Sequence, residues 1–388
     1  MKRLFKRDRR HMSGAIFGGC LTLLLGSIAG VAAAQSQPPL KIGAIVSFTG
    51  PASAFAKDWA EGFDAYVRAW NERGGYKGRK VVLETMDDES NPTSAVNAFR
   101  RLASMPEVTA VWLAQPAQTA LGIKAVSSEF KVPTISGGGL EALGKPVAPY
   151  FFKLAGTAPE FAQRIVEYAK RRGFKKFAML TSSEANGQAE AASLRIVVGQ
   201  AGMEVVAAES YSPADTNFNA QLTKIRSARP DFFYNGATGN PAILVFKQAK
   251  QLKLEMPMGM SVAGVTGPFF AAIGGAAAAE GLVTALPVGV VPGASSAEGQ
   301  AELKKMEAAL GKRPIAFNTF GWETGFITEW ALKNSDGTRE GLRNALESAR
   351  DVPSVNGPIS FSPQSHLGQD IRGVAAVVMK EGRWTKGD

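Results

Sequence analysis

Apolar and polar positions along this chain switch repeatedly between two periods. Lys41-Ile42-Gly43-Ala44-Ile45-Val46 reads as a short buried strand, and Trp59, Phe63, Tyr66, Val67 and Trp70 then recur at helical spacing. Gly74-Gly75 closes that helix. Val81 to Met86 predicts the next strand, and Val96, Phe99 and Leu102 mark an amphipathic helix after Asn91-Pro92. A strand at Val108 to Leu113, a helix near Thr119 to Phe130 and a strand at Val132 to Ser136 follow. A second series opens near Glu160, with Phe161, Ile165, Tyr168 and Ala169 striping a helix before the strand Lys175 to Leu180. Helices over 186–200, 217–228 and 241–252 then alternate with strands over 203–208, 231–234 and 256–260. This alternation predicts an α/β fold of two doubly wound halves, each a parallel sheet covered on both faces. Ligands of such sheets lie beyond the carboxyl ends of the strands. The loops after Val46, Leu113, Ile135, Leu180, Tyr234 and Met260 are therefore expected to line a cleft.

The N-terminus adds a compartment. Lys2, Arg3, Lys6, Arg7, Arg9 and Arg10 precede an uncharged run from Met12 to Ala34 that ends in three alanines, the order of a secretory signal peptide. Five glycines dilute the run, which argues for cleavage near Ala34 over a retained anchor. Arg9-Arg10 leaves the Sec and twin-arginine routes both open. The single cysteine, Cys20, lies inside the run rather than at its end, so lipidation is not expected. The mature chain, about 354 residues, then has no cysteine for disulfides, thiol catalysis or zinc, and is long enough for two lobes. Removing six basic residues and Asp8 brings the formal charge from +10 to +5. No basic stripe marks a nucleic-acid surface, although a mild positive field favours anionic ligands.

Motifs that could carry a reaction each break down. Gly139 to Lys145 follows a strand and approaches a phosphate-binding loop, but Pro146 stands where Ser or Thr would hold magnesium. Gly259-Met260-Ser261-Val262-Ala263 approaches a nucleophile elbow, with Ala263 in place of the required glycine. His366 is the one histidine after Ala34 and reads as an exposed loop residue. Neighbouring carboxylates in Asp87-Asp88-Glu89 point to opposite faces of a strand, so a structural loop is expected rather than a metal site. Trp59, Tyr66 and Trp70 read as core stripe. Neither an enzyme, a metal nor a cofactor is implied.

Ser47-Phe48-Thr49-Gly50-Pro51, Asn71 to Arg79 and Asp87-Asp88-Glu89-Ser90-Asn91-Pro92 occur in an order that resembles the periplasmic branched-chain amino acid (Leu/Ile/Val) binding proteins of ABC importers. Phe151-Phe152-Lys153, Asp215 to Phe218, Arg229-Pro230-Asp231 and Asn356 to Ile359 extend the resemblance nearly end to end. It implies the type I periplasmic binding fold: two Rossmann-like lobes joined by three hinge crossovers. Residues 41–155 and 286–350 would form lobe 1, and 156–285 with 351–388 lobe 2. It also implies a periplasmic monomer that closes on a small molecule by hinge motion and delivers it to a membrane permease.

The ligand positions depart from the amino-acid pattern. Ala117 and Leu140 stand where relatives place hydroxyls for the α-carboxylate and ammonium. Ser261 replaces the acid that pairs with the ammonium, and Ala237 a tyrosine. A buried ammonium without its acid forfeits several kcal/mol, on the order of the buried-pair penalty, so a ligand lacking an α-amino group is expected. Phe55, Leu140, Phe317 and Phe320 would supply an apolar pocket, with Gln115, Gln118, Thr119, Asn186, Thr238 and Ser261 around it. Backbone amides of Ala117, Gln118 and Thr119 would hold an anionic end, with Gly138 and Gly139 allowing close approach. An aromatic carboxylate of the benzoate or aryl keto acid type fits. The alternatives are a branched-chain or other aliphatic amino acid, or a sensor input built on the same fold.

Overall fold

The computed structural model describes residues 38–387, with the side chains of 185 and 186 excepted. The signal peptide expected over 1–34, its expected cleavage site and Cys20 lie outside the described residues. Strands and helices alternate from β1 (Leu40–Val46) through α1 (Ser53–Glu72), β2 (Val81–Asp87), α2 (Pro92–Ala103), β3 (Val108–Ala114) and α3 (Ala117–Phe130) to β4 (Thr134–Ser136) and β5 (Phe151–Lys153). These five strands form one parallel sheet in the order β2-β1-β3-β4-β5. β1 and β3 are buried at nearly every position, as strands covered on both faces must be. Asn91 caps α2 by accepting the Thr93 and Ser94 N–H groups, and Pro92 opens its first turn.

The second series runs α4 (Ala158–Arg171), β6 (Lys176–Ser182), α5 (Ala185–Gln200), β7 (Glu204–Tyr211), α6 (Asn219–Ser227), β8 (Phe232–Gly236), α7 (Gly239–Gln251), β9 (Met258–Met260), α8 (Gly267–Ile273) and β10 (Val283–Pro287). The chain then makes α9 (Ala297–Leu310), α10 (Ala316–Lys333), α11 (Arg339–Ser348), the hairpin β11 (Val352–Ser354) and β12 (Gly357–Ile359), and finally β13 (Val374–Lys380) and β14 (Arg383–Lys386). The second sheet is ordered β14-β13-β10-β9-β8-β6-β7, with β13 and β14 antiparallel to their neighbours.

The chain passes between the two sheets after β5, after β10 and before β13. The boundary expected at 350 falls elsewhere. Val352, Val355, Ile359 and Phe361 are buried in the core of the first sheet, and Phe361 meets Phe152 edge-on at 5.1 Å. The return to the second sheet therefore follows Gln369, while residues 286–287 still belong to β10 of that sheet. Apolar side chains on the hairpin drive this, because they join the core of the first half, with β11 packed on α9.

The same return corrects the reading of His366. Its ring is fully buried, stacks on Phe152 at 4.1 Å, and places Nδ1 2.8 Å from the Phe151 carbonyl, to which it donates. Burial lowers its pKa, against hydrogen bonds to Phe151 and Glu347. Trp59, Tyr66 and Trp70 are buried in the core between α1 and α10. α1 and α10 meet backbone to backbone: a Cβ on Gly62 would lie 2.3 Å from the Asn318 carbonyl, and one on Gly321 2.1 Å from that of Trp59. Asn318 locks the crossing by donating to the Asp58 carbonyl (2.6 Å) and to Glu61 (2.9 Å).

Buried charge marks the connections. Lys153, at the end of β5, is fully buried; desolvation brings it down to about 8, against the pull of Glu160 and Glu141. Glu323 on α10 accepts from Ser354 Oγ, Asn356 N–H (2.9 Å), Asn356 Nδ2 (2.7 Å) and Gln369 Nε2 (2.7 Å), and burial pushes it up to about 7.

Candidate functional site

At the carboxyl end of the first sheet, the loop after β1 is clamped from below. Buried Asp88 accepts from Ser47 Oγ (2.5 Å) and the Ser90 N–H (2.9 Å). Asp87 accepts from Thr49 Oγ1 (2.8 Å) and the N–H groups of Phe48, Thr49 and Glu89. Asp87-Asp88-Glu89 is thus a structural loop. Gln115 belongs to the same clamp, its amide donating to Asp88 (2.5 Å) and accepting from the Ala120 N–H (3.1 Å). Its polar atoms are thereby committed to this clamp.

α3 begins at Ala117, with Pro116 before it and no side chain capping the turn. Such an end carries partial positive charge from its backbone amides. Thr119 donates its hydroxyl to the Pro116 carbonyl (2.6 Å), which leaves its backbone as the part available to an anion. The glycine loop after β4 lies against this end. A Cβ on Gly138 would sit 3.5 Å from that of Ala117, and one on Gly137 2.3 Å from the Trp59 ring. Gly139 accepts from the Ala158 N–H at the first crossover, while Leu140 packs half-buried on the α2–α3 side of the sheet.

The α1–α10 crossing gathers the rings. Phe55 stacks on Phe317 at 5.1 Å, and Trp59 meets Phe317 and Phe320 at 6.2 and 5.8 Å. Phe55 and Phe317 are half-buried and Phe320 is buried. The Trp59 indole N–H is buried and has no acceptor among the described residues. Sequence reasoning placed Trp59 in the core, and its ring is there; its donor was missed. A helical stripe counts apolar surface and is blind to the one polar atom of an indole.

At the second sheet, Asn235 ties two of the expected residues together, accepting from the Ala237 N–H (3.1 Å) and, through its carbonyl, from the Ser261 N–H (3.1 Å). Thr238 is exposed at the start of α7 and donates its N–H to the Tyr211 hydroxyl (3.3 Å). Asn186 lies in the first turn of α5, its side chain outside the described part.

A residue that sequence reasoning passed over stands at the centre of this rim. Glu190, on α5, accepts a short hydrogen bond from the Tyr234 hydroxyl and a bond from the Ser261 side chain. Burial pushes its carboxyl up to about 7, against those two bonds. Gly236 makes room for it, since a Cβ there would lie 2.8 Å from Glu190 Oε2. An isolated acid among the small residues Ala189, Ala191 and Ala192, one turn into a helix that starts beside a strand end, was the available signal. Ser261 therefore occurs beside an acid, and does not stand in a rim without one. α5 also approaches α3 of the other half.

Among the described residues no group of three His, Cys, Asp or Glu side chains is placed to hold a metal, and no helix is long and apolar enough to cross a membrane.

Residues 39–383 match the family model described as periplasmic binding protein. The chain is 26% identical over 356 residues to the Leu/Ile/Val-binding protein homolog 3 of Brucella melitensis, covering 89% of this chain and 94% of that one. Its fold is similar to a type 1 periplasmic binding protein of Bordetella pertussis, with a TM-score of 0.81 at 20% identity, covering 90% of this chain and all of the other. It is also similar to a solute-binding protein of an R. palustris ABC transporter in complex with benzoate, at TM-score 0.75 and 23% identity, covering 90% and 95%. The family match over nearly the whole described chain and the shared fold agree, and the chain belongs to the periplasmic binding protein family, with the type I fold.

Proposed function

We propose that this protein is the extracytoplasmic receptor of an ABC importer and that it closes, as a monomer, over a small carboxylate with a flat apolar body, an aromatic acid of the benzoate or aryl keto acid type. The observation that carries this reading is the convergence on Gly137 and Gly138. One side of that loop meets the uncapped start of α3, the other the Trp59 ring with its unpaired N–H, and Phe317 and Phe55 continue from Trp59. Donors suited to an anion thus adjoin rings suited to a ring. Burying an aromatic body of about 150 Å² at ~25 cal/mol/Å² contributes on the order of 4 kcal/mol. The benzoate-bound relative favours the same class. Closure would turn on the three crossovers.

Glu190 favours a second reading. A ligand with an α-ammonium could pair with it, and the Leu/Ile/Val-binding relative points that way. A thermal-shift series separates the two, because a ligand at 100 times its Kd adds about 2.7 kcal/mol to the folded state. Benzoate or an aryl keto acid is expected to raise Tm and to shift the Trp59 indole 15N–1H resonance. Stabilisation by leucine, with no response to aryl acids, overturns the aromatic reading.

A further inference from the structure

Among the described residues of the second rim, Glu190 has its carboxyl held by neutral donors alone. Tyr234 on β8 donates to Oε1, and Ser261, just after β9, adds a second hydroxyl. The facing groups that can titrate are Tyr234 and, from β7, Tyr211. Thr181 on β6 and Ser261 are neutral. Among the described residues no cation from α3, α4 or the strands bears on the carboxyl. The acid lies at the carboxyl ends of β6, β8 and β9, where Gly236 leaves space for Oε2, on a helix that approaches the half carrying the anion-binding end. A carboxylate left without a cation in a closing cleft faces two penalties when an anionic ligand enters: loss of water and repulsion between like charges. Both vanish if the acid carries its proton.

We propose that Glu190 is the specificity-determining residue of the second rim and that it meets the ligand as a neutral acid, donating its O–H to a ligand oxygen while Tyr234 and Ser261 hold the other side of the carboxyl. This rests on the aryl carboxylate reading above. The burial that pushes Glu190 up to about 7 leaves it partly protonated in the free protein at neutral pH, and capture of the anion takes up the remaining proton from solvent. Ligands with an ammonium at this end are disfavoured, because they would need the acid ionised.

The test uses benzoate as probe, with Kd measured by calorimetry from pH 5.5 to 8.5 for the wild type and for Glu190→Gln. The wild type is expected to bind with constant affinity below pH 6 and to weaken roughly tenfold per unit well above pH 7. Benzoate is fully ionised across this range and adds no slope of its own. Glu190→Gln, a neutral group of the same shape, is expected to keep the low-pH affinity within about threefold and to flatten the profile, as linkage to a single group requires. Gly236→Ala, which crowds the carboxyl without altering its charge, weakens binding at every pH while retaining the slope. A flat wild-type profile, or loss of low-pH binding in Glu190→Gln, overturns the role of Glu190 and leaves the aryl carboxylate reading standing. Failure of benzoate and other aryl acids to bind at any pH removes both. Leucine binding that strengthens through pH 7 and disappears in Glu190→Gln also removes both, since the acid then acts ionised.

Discussion

Where β3 and β4 end, the chain presents the first turn of α3, the Gly137-Gly138 loop and the rings of Phe55, Trp59 and Phe317; where β6, β8 and β9 end, it presents Glu190, Tyr234, Ser261 and Tyr211. In the proposed reading the first rim would act through main-chain donors and ring faces, which are fixed by packing and indifferent to proton concentration. The second would act through hydroxyls around one acid, which is sensitive to pH. Two sheets of similar plan would then divide recognition between geometry and protonation.

The strongest contrast is expected in stability against pH. Glu190, like Glu323 at the crossovers, has a folded-state pKa of about 7, above the 4.5 of an ordinary glutamate. The native state therefore holds these protons more tightly than the unfolded chain. The stabilisation is complete below about pH 4.5 and is lost as pH rises through about 7, amounting to up to about 3 kcal/mol per group. Urea unfolding at pH 5 and pH 8 should show this loss, and Glu190→Gln should remove its share. A shape change is expected to matter most at the first rim. Gly137→Val forces atoms into the Trp59 ring and should cost about 2 kcal/mol of stability by overpacking; an unchanged denaturation midpoint would mean that the rim yields. Phe317→Ala removes a ring from the half-buried face and should weaken aryl acid binding by about 1.5 kcal/mol, roughly tenfold in Kd, with the pH profile preserved. The smallest effect belongs to Tyr234→Phe, which takes one donor from Glu190 and should cost about 1 kcal/mol while moving the midpoint of the binding profile upward in pH.

Most of the secondary structure was legible because it is written locally. The Trp59 to Trp70 stripe, the Asn91-Pro92 start of α2 and the apolar run of β1 each act over a few residues, and the doubly wound plan follows from their order. What escaped was decided by partners distant in the chain. His366 looked like a polar loop residue because nothing nearby announces Phe152, on which it stacks. The hairpin over 352–359 was assigned to the wrong half because its apolar residues join the core of the first half, against α9. Gln115 fell into the expected pocket by position, yet Asp88 from another loop claims its amide. Glu190 was missed because the position expected to hold the acid was read on the strand-end loop, whereas the fold supplies one from the neighbouring helix.

The close crossing of α1 with α10 bears on how the molecule is made. The core on the α1 side of the first sheet, with Trp59, Tyr66 and Trp112, is completed by Phe320, Trp322 and Ile327, more than 200 positions later than Trp112. A nascent chain that has emerged only through β5 has five strands and α1 to α3 but lacks α10, which packs on α1, so the first half to be synthesised is among the last to become stable. Long sequence separation of this kind slows folding, and a fragment ending before Ala316 should remain loose and protease-sensitive however faithfully its local elements form.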